Sequence, residues 1–301
     1  ETAMAVRMPD GSIDVEKWEN KPSKWYNKAP FIRGMVNFIT SMKEGNSCLT
    51  KSADKSSEEC TEEELSKFER WLYKVFGEKA YNVAMAGAMV FAVLIAVAGF
   101  MWLPAVLFSL FKGLFGDTDI SGFRSLFEGV IKTVLLVLYL FAFSKLKDMK
   151  RLFEYHGAEH KTIACFEKGM ELTPENVLTC TRFHPRCGTS FIFLVFIISV
   201  LVFSILPINS EMFVQWWGIS EGLANIVRVF AKLLFMPLVV GISYELIRLA
   251  GRYDNIFTKI ISAPGLALQR ITTKEPDRTQ VEVAIAAMTP VLPQAGEDDS
   301  W

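Results

Sequence analysis

Four long apolar runs dominate the chain, and most of its charged residues lie outside them. The runs extend over residues 82–110, 123–143, 189–208 and 223–247. Each has 20 residues or more, which is about the length that an α-helix needs to cross roughly 30 Å of hydrocarbon. The first and third runs contain no charged residue. A buried helix of a soluble protein seldom stays apolar for so long, so the pattern predicts four transmembrane helices.

The segments between the predicted spans differ in positive charge. Residues 144–188 carry eight Lys or Arg residues, whereas residues 207–222 carry none. By the positive-inside rule the basic segment lies in the cytoplasm, and with four spans both termini lie there too. The sequence therefore predicts a multipass protein of the plasma membrane, surrounded by the lipid bilayer, with both termini cytoplasmic.

Shorter patterns precede the first span. Residues 4–16 alternate around a Pro-Asp-Gly turn, which predicts a small β-hairpin. An amphipathic helix is predicted after Pro30, ending at Gly45, with an apolar face that suits a membrane surface or the helix bundle. Residues 46–60 are rich in Ser, Lys and Glu, so we expect them to be mobile. A capping box of Thr and Glu at positions 61 and 64 predicts the start of the helix that leads into the first span.

Two helices are predicted after the fourth span. Ile256, Phe257, Ile260 and Ile261 mark an amphipathic helix that we expect to break at the Ala-Pro-Gly sequence of residues 263–265. A second helix is predicted to start within residues 273–276. The apolar face of this second helix consists of Val281, Ile285 and Met288.

The predicted fold is an all-α membrane protein with four transmembrane helices, a small N-terminal β-hairpin and amphipathic cytoplasmic helices. It divides into an N-terminal cytoplasmic region (1–81), a transmembrane domain (82–250) with a cytoplasmic loop at 144–188, and a C-terminal cytoplasmic region (251–301). The net charge of −1 over 301 residues lacks the positive excess of nucleic-acid-binding proteins. We therefore predict no nucleic-acid partner.

All three histidines of the chain lie within 29 residues. His156 and His160 are four residues apart, so on a helix they share one face, and Glu159 completes the H-x-x-E-H pattern of inverted zinc proteases. His184 and Cys187 follow just before the third span. Imidazole and thiolate groups are ligands that Zn²⁺ prefers. The sequence predicts a divalent-metal site, most simply for Zn²⁺, with His156, His160, His184 and Cys187 as ligands.

The role of such a metal stays open at this point, and Cys180 is a fifth candidate ligand. If both cysteines and two histidines bind, the protein closes the site, and the metal joins the second span to the third. If only three side chains bind, Glu159 can act as the general base on a metal-activated water. A third interpretation is that the histidines are surface residues of a segment beside the membrane.

Charged residues also fall inside two of the predicted spans. Glu128 and Lys132 lie in the second span, at the same depths as Arg228 and Lys232 in the fourth. Intramembrane charges usually pair with each other or face a polar interior. We therefore predict a Glu128–Arg228 pair, although helices that start later would leave these charges at the interface. Glu245 lies near the cytoplasmic end of the fourth span and could approach the His/Cys site.

Three segments carry a family resemblance. They are Y-H-G-A-E-H-K-T at residues 155–162, R-F-H-P-R-C-G-T-S-F at 182–191, and G-I-S-Y-E with R-L-A-G within 241–251. Shorter matches follow: Pro-Gly at 264, Gln-Arg at 269 and Thr-Thr at 272. Together they resemble the YqhQ-like family of bacterial multipass membrane proteins, whose function is unknown and whose members are described as predicted metal-dependent enzymes. The resemblance supports the metal ligands, and it places Cys180 below Cys187 because Cys180 lies outside the family motif.

Two hypotheses for function follow from the sequence. The first is a metal-dependent hydrolase with Glu159 as its base. The second is a non-enzymatic scaffold or accessory subunit, held together by a metal, in a membrane complex such as protein translocation or insertion machinery. The long cytoplasmic ends would suit docking to protein partners. Four protein ligands without a pocket would favour the scaffold, whereas three ligands in a cleft would favour the enzyme.

Overall fold

The computed structural model describes residues 1–20, 25, 29–56, 87, 90–92, 94–96, 98–100, 102–114, 120–206, 208–253 and 255–292. The capping box predicted at positions 61 and 64 lies outside these residues. The strands are β1 (Thr2–Arg7) and β2 (Ile13–Trp18). The helices are α1 (Ile32–Ser56), α2 (Val90–Gly113), α3 (Arg124–Phe143), α4 (Lys147–Glu167), α5 (Pro174–Thr179), α6 (Gly188–Ile205), α7 (Ser210–Trp217), α8 (Glu221–Arg252), α9 (Ile256–Thr272) and α10 (Arg278–Met288).

The N-terminal strands form the predicted hairpin. β1 and β2 pair antiparallel, with Thr2 opposite Trp18 and Arg7 opposite Ile13. Gly11 takes a φ of 85° in the turn, a conformation that glycine adopts without steric cost. Arg7 extends from the hairpin to Glu282 of α10, at 3.0 Å. The hairpin prediction is confirmed, and the hairpin packs on α10.

Four helical segments are long and apolar enough to cross a membrane. They are α2, α3, α6 together with α7 (Gly188–Trp217), and α8. Large apolar side chains cover much of their surface, including the exposed Leu138, Ile205, Phe230 and Leu234. Such a surface is unfavourable in water but is satisfied by contact with acyl chains. The predicted number of helices suited to spanning is confirmed, and their composition indicates contact with lipid.

Helix α1 is longer than predicted. It does not end at Gly45 but continues to Ser56, so residues 46–56 are helical. One exposed glycine costs a helix only about 1 kcal/mol relative to alanine. Lys51 and Lys55, in the last two turns, form ion pairs with acidic residues of β2. These contacts, which the local sequence does not reveal, explain why the helix continues.

Helix α9 is not broken at residues 263–265, and that prediction is wrong. It runs without interruption through Pro264, although proline removes one backbone hydrogen bond from a helix. The next residue, Gly265, lies against Ser190 of α6, and a Cβ atom there would be 2.6 Å from the Ser190 Cβ. Close packing of α9 on α6 therefore holds the helix together. The following helix, α10, starts at Arg278, slightly later than the predicted start within residues 273–276, and Asp277 caps its N-terminus.

Helix α1 is attached to the C-terminal part of α8. Glu245 accepts hydrogen bonds from both sides of the Arg33 guanidinium, with 2.8 Å between Nε and Oε1. The Tyr244 hydroxyl accepts a hydrogen bond from the side chain of Asn37 at 2.8 Å. Gly34 lies so close to Tyr244 that a Cβ would be 2.4 Å from the Tyr244 Cβ. Arg33 thus binds the carboxylate of Glu245, and the expectation that Glu245 could approach the His/Cys site stays a prediction.

Glu128 forms its ion pairs within its own helix. Glu128 binds Arg124 at 2.8 Å and Lys132 at 3.7 Å, each one turn away on α3. Within the described residues Arg228 forms no ion pair with Glu128, so the predicted contact between them is wrong. Neighbours at i and i+4 on one helix reach each other more easily than side chains on separate helices. Lys232 lies over the ring of Phe203, 5.2 Å from its centroid.

Candidate metal centre

The two histidines of the H-x-x-E-H motif lie on helix α4. His156 and His160 are one turn apart on the same face, and their ring centroids are 4.4 Å apart. The prediction that the motif is helical is confirmed. The spacing of four residues therefore directs two imidazoles toward one point.

Cys187 meets these imidazoles from the start of the third span. It is the N-cap residue of α6, and its Sγ is 3.1 Å from Nε2 of His156. One donor atom from each of His156, His160 and Cys187 lies within 4.8 Å of the other two. The Thr189 hydroxyl is 3.2 Å from the same sulfur. We call His156, His160 and Cys187 the three-residue group.

Backbone carbonyls orient both imidazoles of the three-residue group. Nδ1 of His156 is 2.9 Å from the carbonyl oxygen of Thr272, and Nδ1 of His160 is 2.6 Å from that of Arg182. A carbonyl can only accept, so each Nδ1 carries the proton. Histidines that bind metals commonly donate their second ring N–H to a carbonyl or carboxylate in this way. The arrangement leaves Nε2 of both rings to face the sulfur.

His184, the fourth predicted ligand, lies beside the three-residue group and does not join it. Its Nε2 is 3.3 Å from both carboxylate oxygens of Glu167, and its ring centroid is 5.9 Å from that of His160. The buried Gln269 side chain binds the backbone N–H and carbonyl of His184, at 2.9 and 2.7 Å. His184 is thus held in place by a carboxylate and an amide.

Cys180 has a different environment from Cys187. It is buried in an apolar core formed by α4, α5 and α10, together with Cys165, Val177 and Val281. Within the described residues it belongs to no group of metal-ligating side chains. The ranking of Cys187 above Cys180 agrees with this geometry.

The side chains of the three-residue group shift one another's pKa values. Burial opposes ionisation of the Cys187 thiol, but hydrogen bonds from His156 and His160 outweigh it and lower its pKa to about 5. Burial, the largest single influence, lowers the pKa of His156, but the hydrogen bond to Cys187, the charge of its thiolate and the contact with the Thr272 carbonyl together raise the pKa above the usual value. Burial lowers the pKa of the neighbouring His184 despite its contact with Glu167. These interactions favour the thiolate form of Cys187, which is the form that binds metal ions.

The segment that supplies the Thr272 carbonyl packs tightly on α4. We call residues 272–276 the strap. A Cβ on Gly157 would lie 2.0 Å from the carbonyl oxygen of Lys274, whose N–H donates to the carbonyl of Phe153 at 2.8 Å. Glu275 of the strap pairs with Lys161 of α4 at 2.9 Å. The absence of a side chain at position 157 lets the strap come close enough to orient His156.

The sequence motifs did not identify the supporting residues as such. Gln269 holds His184, Thr272 orients His156, and Gly157 and Lys161 let the strap pack on α4, but none of them has a metal-ligating pattern of its own. The only indication of their role in the sequence is that they fall within the segments that carry the family resemblance. Supporting residues act through backbone contacts across the fold, and such contacts leave no local spacing in the sequence.

The three-residue group faces a cavity of about 1200 Å³. Glu159, the third residue of the motif, also lines this cavity and is exposed to it. Helices α1, α4, α6 and α8 all contribute to the lining. The arrangement can place a bound molecule next to three metal-ligating atoms and a carboxylate.

Comparison with known proteins places the chain in one family. Residues 29–294 match the family described as "Protein of unknown function (DUF1385)". The chain is 33% identical over 293 residues to "Uncharacterized protein YqhQ" of Bacillus subtilis (strain 168), covering 96% of this chain and 86% of that protein. No solved structure matches the chain. The chain belongs to the DUF1385 family, as the sequence motifs predicted.

Proposed function

We propose that this member of the DUF1385 family is a membrane-bound, metal-dependent hydrolase whose divalent ion is held by His156, His160 and Cys187. The observation that carries the proposal is the three-residue group itself, which is oriented by backbone carbonyls and open to a large cavity. Catalytic zinc sites use three protein ligands and leave one position for water or substrate. A structural zinc is closed by four protein ligands.

The donor set fits Zn²⁺. Two imidazoles and a thiolate suit a borderline-soft ion, whereas Mg²⁺ and Ca²⁺ prefer oxygen ligands. Bonds of about 2.0–2.3 Å in a tetrahedron put donor atoms about 3.3–3.8 Å apart. The observed separations, 3.1 Å for one pair and at most 4.8 Å for all, need only small side-chain adjustments to reach that range.

Each residue then has a defined task. A bound divalent ion supplies Lewis acidity to the substrate oxygen and lowers the pKa of water at the site. Glu159 accepts one proton from that water, whose oxygen attacks the electrophilic carbon of the substrate. When the bond to the leaving group breaks, Glu159 returns the proton to the leaving group. Each cycle consumes one water and releases two products. Because Glu159 gives up the proton that it accepted, its carboxylate is restored.

The position of the site in the cell follows from the charge of the segment that contains it. The eight basic residues of 144–188 support a cytoplasmic location. Because α6 begins and α8 ends next to the three-residue group, the site would lie where these helices meet the cytoplasm. The hydrolase would therefore act at the boundary between membrane and cytoplasm.

The role of Glu159 can be tested without knowledge of the substrate. We expect Glu159→Gln to keep the metal and the fold but to lower turnover by at least about 100-fold, because general-base catalysis contributes about 10²–10⁴. Membranes from cells that produce the wild-type protein, Glu159→Gln or Glu154→Gln would be compared by untargeted mass spectrometry of lipids and peptides. Glu154 is the matched control because it lies on the same helix and binds Gln280 at 3.0 Å, away from the three-residue group.

Hydrolysis products that accumulate with the wild type and Glu154→Gln but not with Glu159→Gln would support the hydrolase. Identical product profiles for all three proteins, at equal protein and metal content, would contradict it. That second result would favour the metal-stabilised scaffold.

A further inference from the structure

The cavity beside the three-residue group lies at the ends of two membrane-spanning helices. Its lining includes the first turn of α6, from Cys187 to Ile192, and Tyr244 and Ile247 near the end of α8. Helix α6 begins and helix α8 ends on this side of the bundle. A bilayer that surrounds α6 and α8 would therefore end at about the level of the cavity.

Two kinds of surface line the cavity. One part is polar and contains the three-residue group with Glu159. The other part is apolar and includes Phe38 of α1, Phe191 and Ile192 of α6, and Ile247 of α8. With a rise of about 1.5 Å per residue, Ile192 lies about 7.5 Å along the helix axis from Cys187. A ligand with a polar end and an apolar end matches this division.

The cavity is large for a soluble small molecule. Its volume of about 1200 Å³ exceeds the roughly 300–1,000 Å³ that is usual for small-ligand sites. A cavity of this volume has room for a long acyl chain with its linking group. Size and lining therefore favour an amphipathic ligand over a small polar metabolite.

Two apolar side chains of the cavity lining are only partly covered by protein. Ile192 and Met42 line the cavity and are exposed by 45% and 54%. Since Ile192 is in the first turns of a helix that is long and apolar enough to span a membrane, acyl chains can reach its exposed side. We call the part of the cavity that Ile192 and Met42 line the lateral opening.

Helix α1 borders the lateral opening with an apolar surface. Ile32, Ile39, Met42 and Leu49 are all exposed, and at about 100° per residue they fall within an arc of roughly 100°. An exposed apolar stripe on a helix attached to the end of a membrane span is typical of a helix lying in the bilayer surface. Because the Arg33–Glu245 contact fixes α1 to α8, the stripe lies level with the opening.

We propose that the cavity takes up the acyl chain of a membrane lipid through the lateral opening, so that the substrates are acylated amphiphiles. The chain would lie along Phe191 and Ile247, and the acyl carbonyl would face the three-residue group. Hydrolysis would add water across the acyl ester or amide bond and release a fatty acid and an alcohol or amine. The reaction rests on the proposed function, but uptake of the chain rests on the cavity alone.

Uptake can be tested by photocrosslinking in a bilayer. The full chain would be placed in nanodiscs of phosphatidylcholine and phosphatidylglycerol that contain phosphatidylcholine with a diazirine on one acyl chain. After illumination, mass spectrometry would locate the label. We expect label on Phe191 and Ile247, which are only 8% exposed and are out of reach of lipid that stays outside the cavity.

Blocking the opening provides the decisive comparison. Ile192→Trp should lower the label on Phe191 and Ile247 at least fivefold. Met42→Trp, which changes the α1 side of the opening, should lower it too. Ile205→Trp is the matched control on the same helix, at a site that is 79% exposed and outside the cavity; it should leave the label unchanged. Absence of label in the wild type, or equal label in all folded variants, would overturn the proposal.

The same experiment separates this inference from the proposed function. Label without any hydrolysis that depends on Glu159 would support acyl uptake and contradict the hydrolase. Hydrolysis that depends on Glu159, without label in the cavity, would support the hydrolase and overturn acyl uptake.

Discussion

Cys187→Ser is expected to lower the affinity of the protein for Zn²⁺ by more than about 100-fold. Loss of a residue that only supports a ligand typically costs 10–100-fold, and Cys187 is a direct ligand in our proposal. Serine replaces the thiolate with a neutral hydroxyl, which is a poorer ligand for Zn²⁺ at neutral pH. The affinity would be measured by competition with a zinc chelator, and the metal content by elemental analysis.

Cys180→Ala provides the control for this experiment. Cys180 is as buried as Cys187, at 3% against 8% exposure, but it packs in the apolar core beside Cys165. We expect Cys180→Ala to keep the metal and to lose some stability through the small cavity it creates. Equal zinc affinity in the wild type and Cys187→Ser would refute the assignment of Cys187 as a ligand.

Gly157→Ala is expected to destabilise the protein by about 3 kcal/mol, at the upper end of the usual cost of overpacking. The added Cβ would lie 2.0 Å from a backbone oxygen of the strap, and backbone cannot move aside as a flexible side chain can. Moving the strap would also withdraw the Thr272 carbonyl from His156, so we expect zinc affinity to fall about 10–100-fold. Thermal unfolding in detergent and zinc competition would measure the two effects.

Gly45→Ala is the matched substitution. Gly45 is also inside a helix, but a Cβ there meets no atom within 4 Å. Alanine is favoured over glycine in helices by about 1 kcal/mol, so this change should be neutral or slightly stabilising. If Gly157→Ala behaved like Gly45→Ala, the close approach of the strap to α4 would be wrong.

The features that could be predicted from the sequence are those set by local pattern. Apolar runs of 20 residues indicate membrane helices because the thickness of hydrocarbon sets their length. The spacing of His156 and His160 places both on one helix face because the helix repeats every 3.6 residues. The hairpin could be predicted because apolar and polar residues alternate on both sides of a turn. In each case the physical cause acts over fewer than about 30 residues.

The features that could not be predicted depend on contacts between distant segments. Glu245 binds Arg33 across 212 residues, and α9 continues through Pro264 because Gly265 packs on Ser190. His184 has a ligand's chemistry, but Glu167 and Gln269 hold it beside the three-residue group. Spacing in the sequence shows which side chains share a helix face. It does not show which side chains of other helices contact them.

X-ray absorption at the zinc edge of the purified protein tests the central claim most directly. We predict about one zinc per chain, bound by two imidazole nitrogens at about 2.0–2.1 Å and one sulfur at about 2.3 Å, with one exchangeable oxygen. The oxygen should be displaced by added azide, because the fourth position faces the cavity. Two sulfur ligands, a fourth protein ligand, or no bound metal would contradict an open site formed by His156, His160 and Cys187.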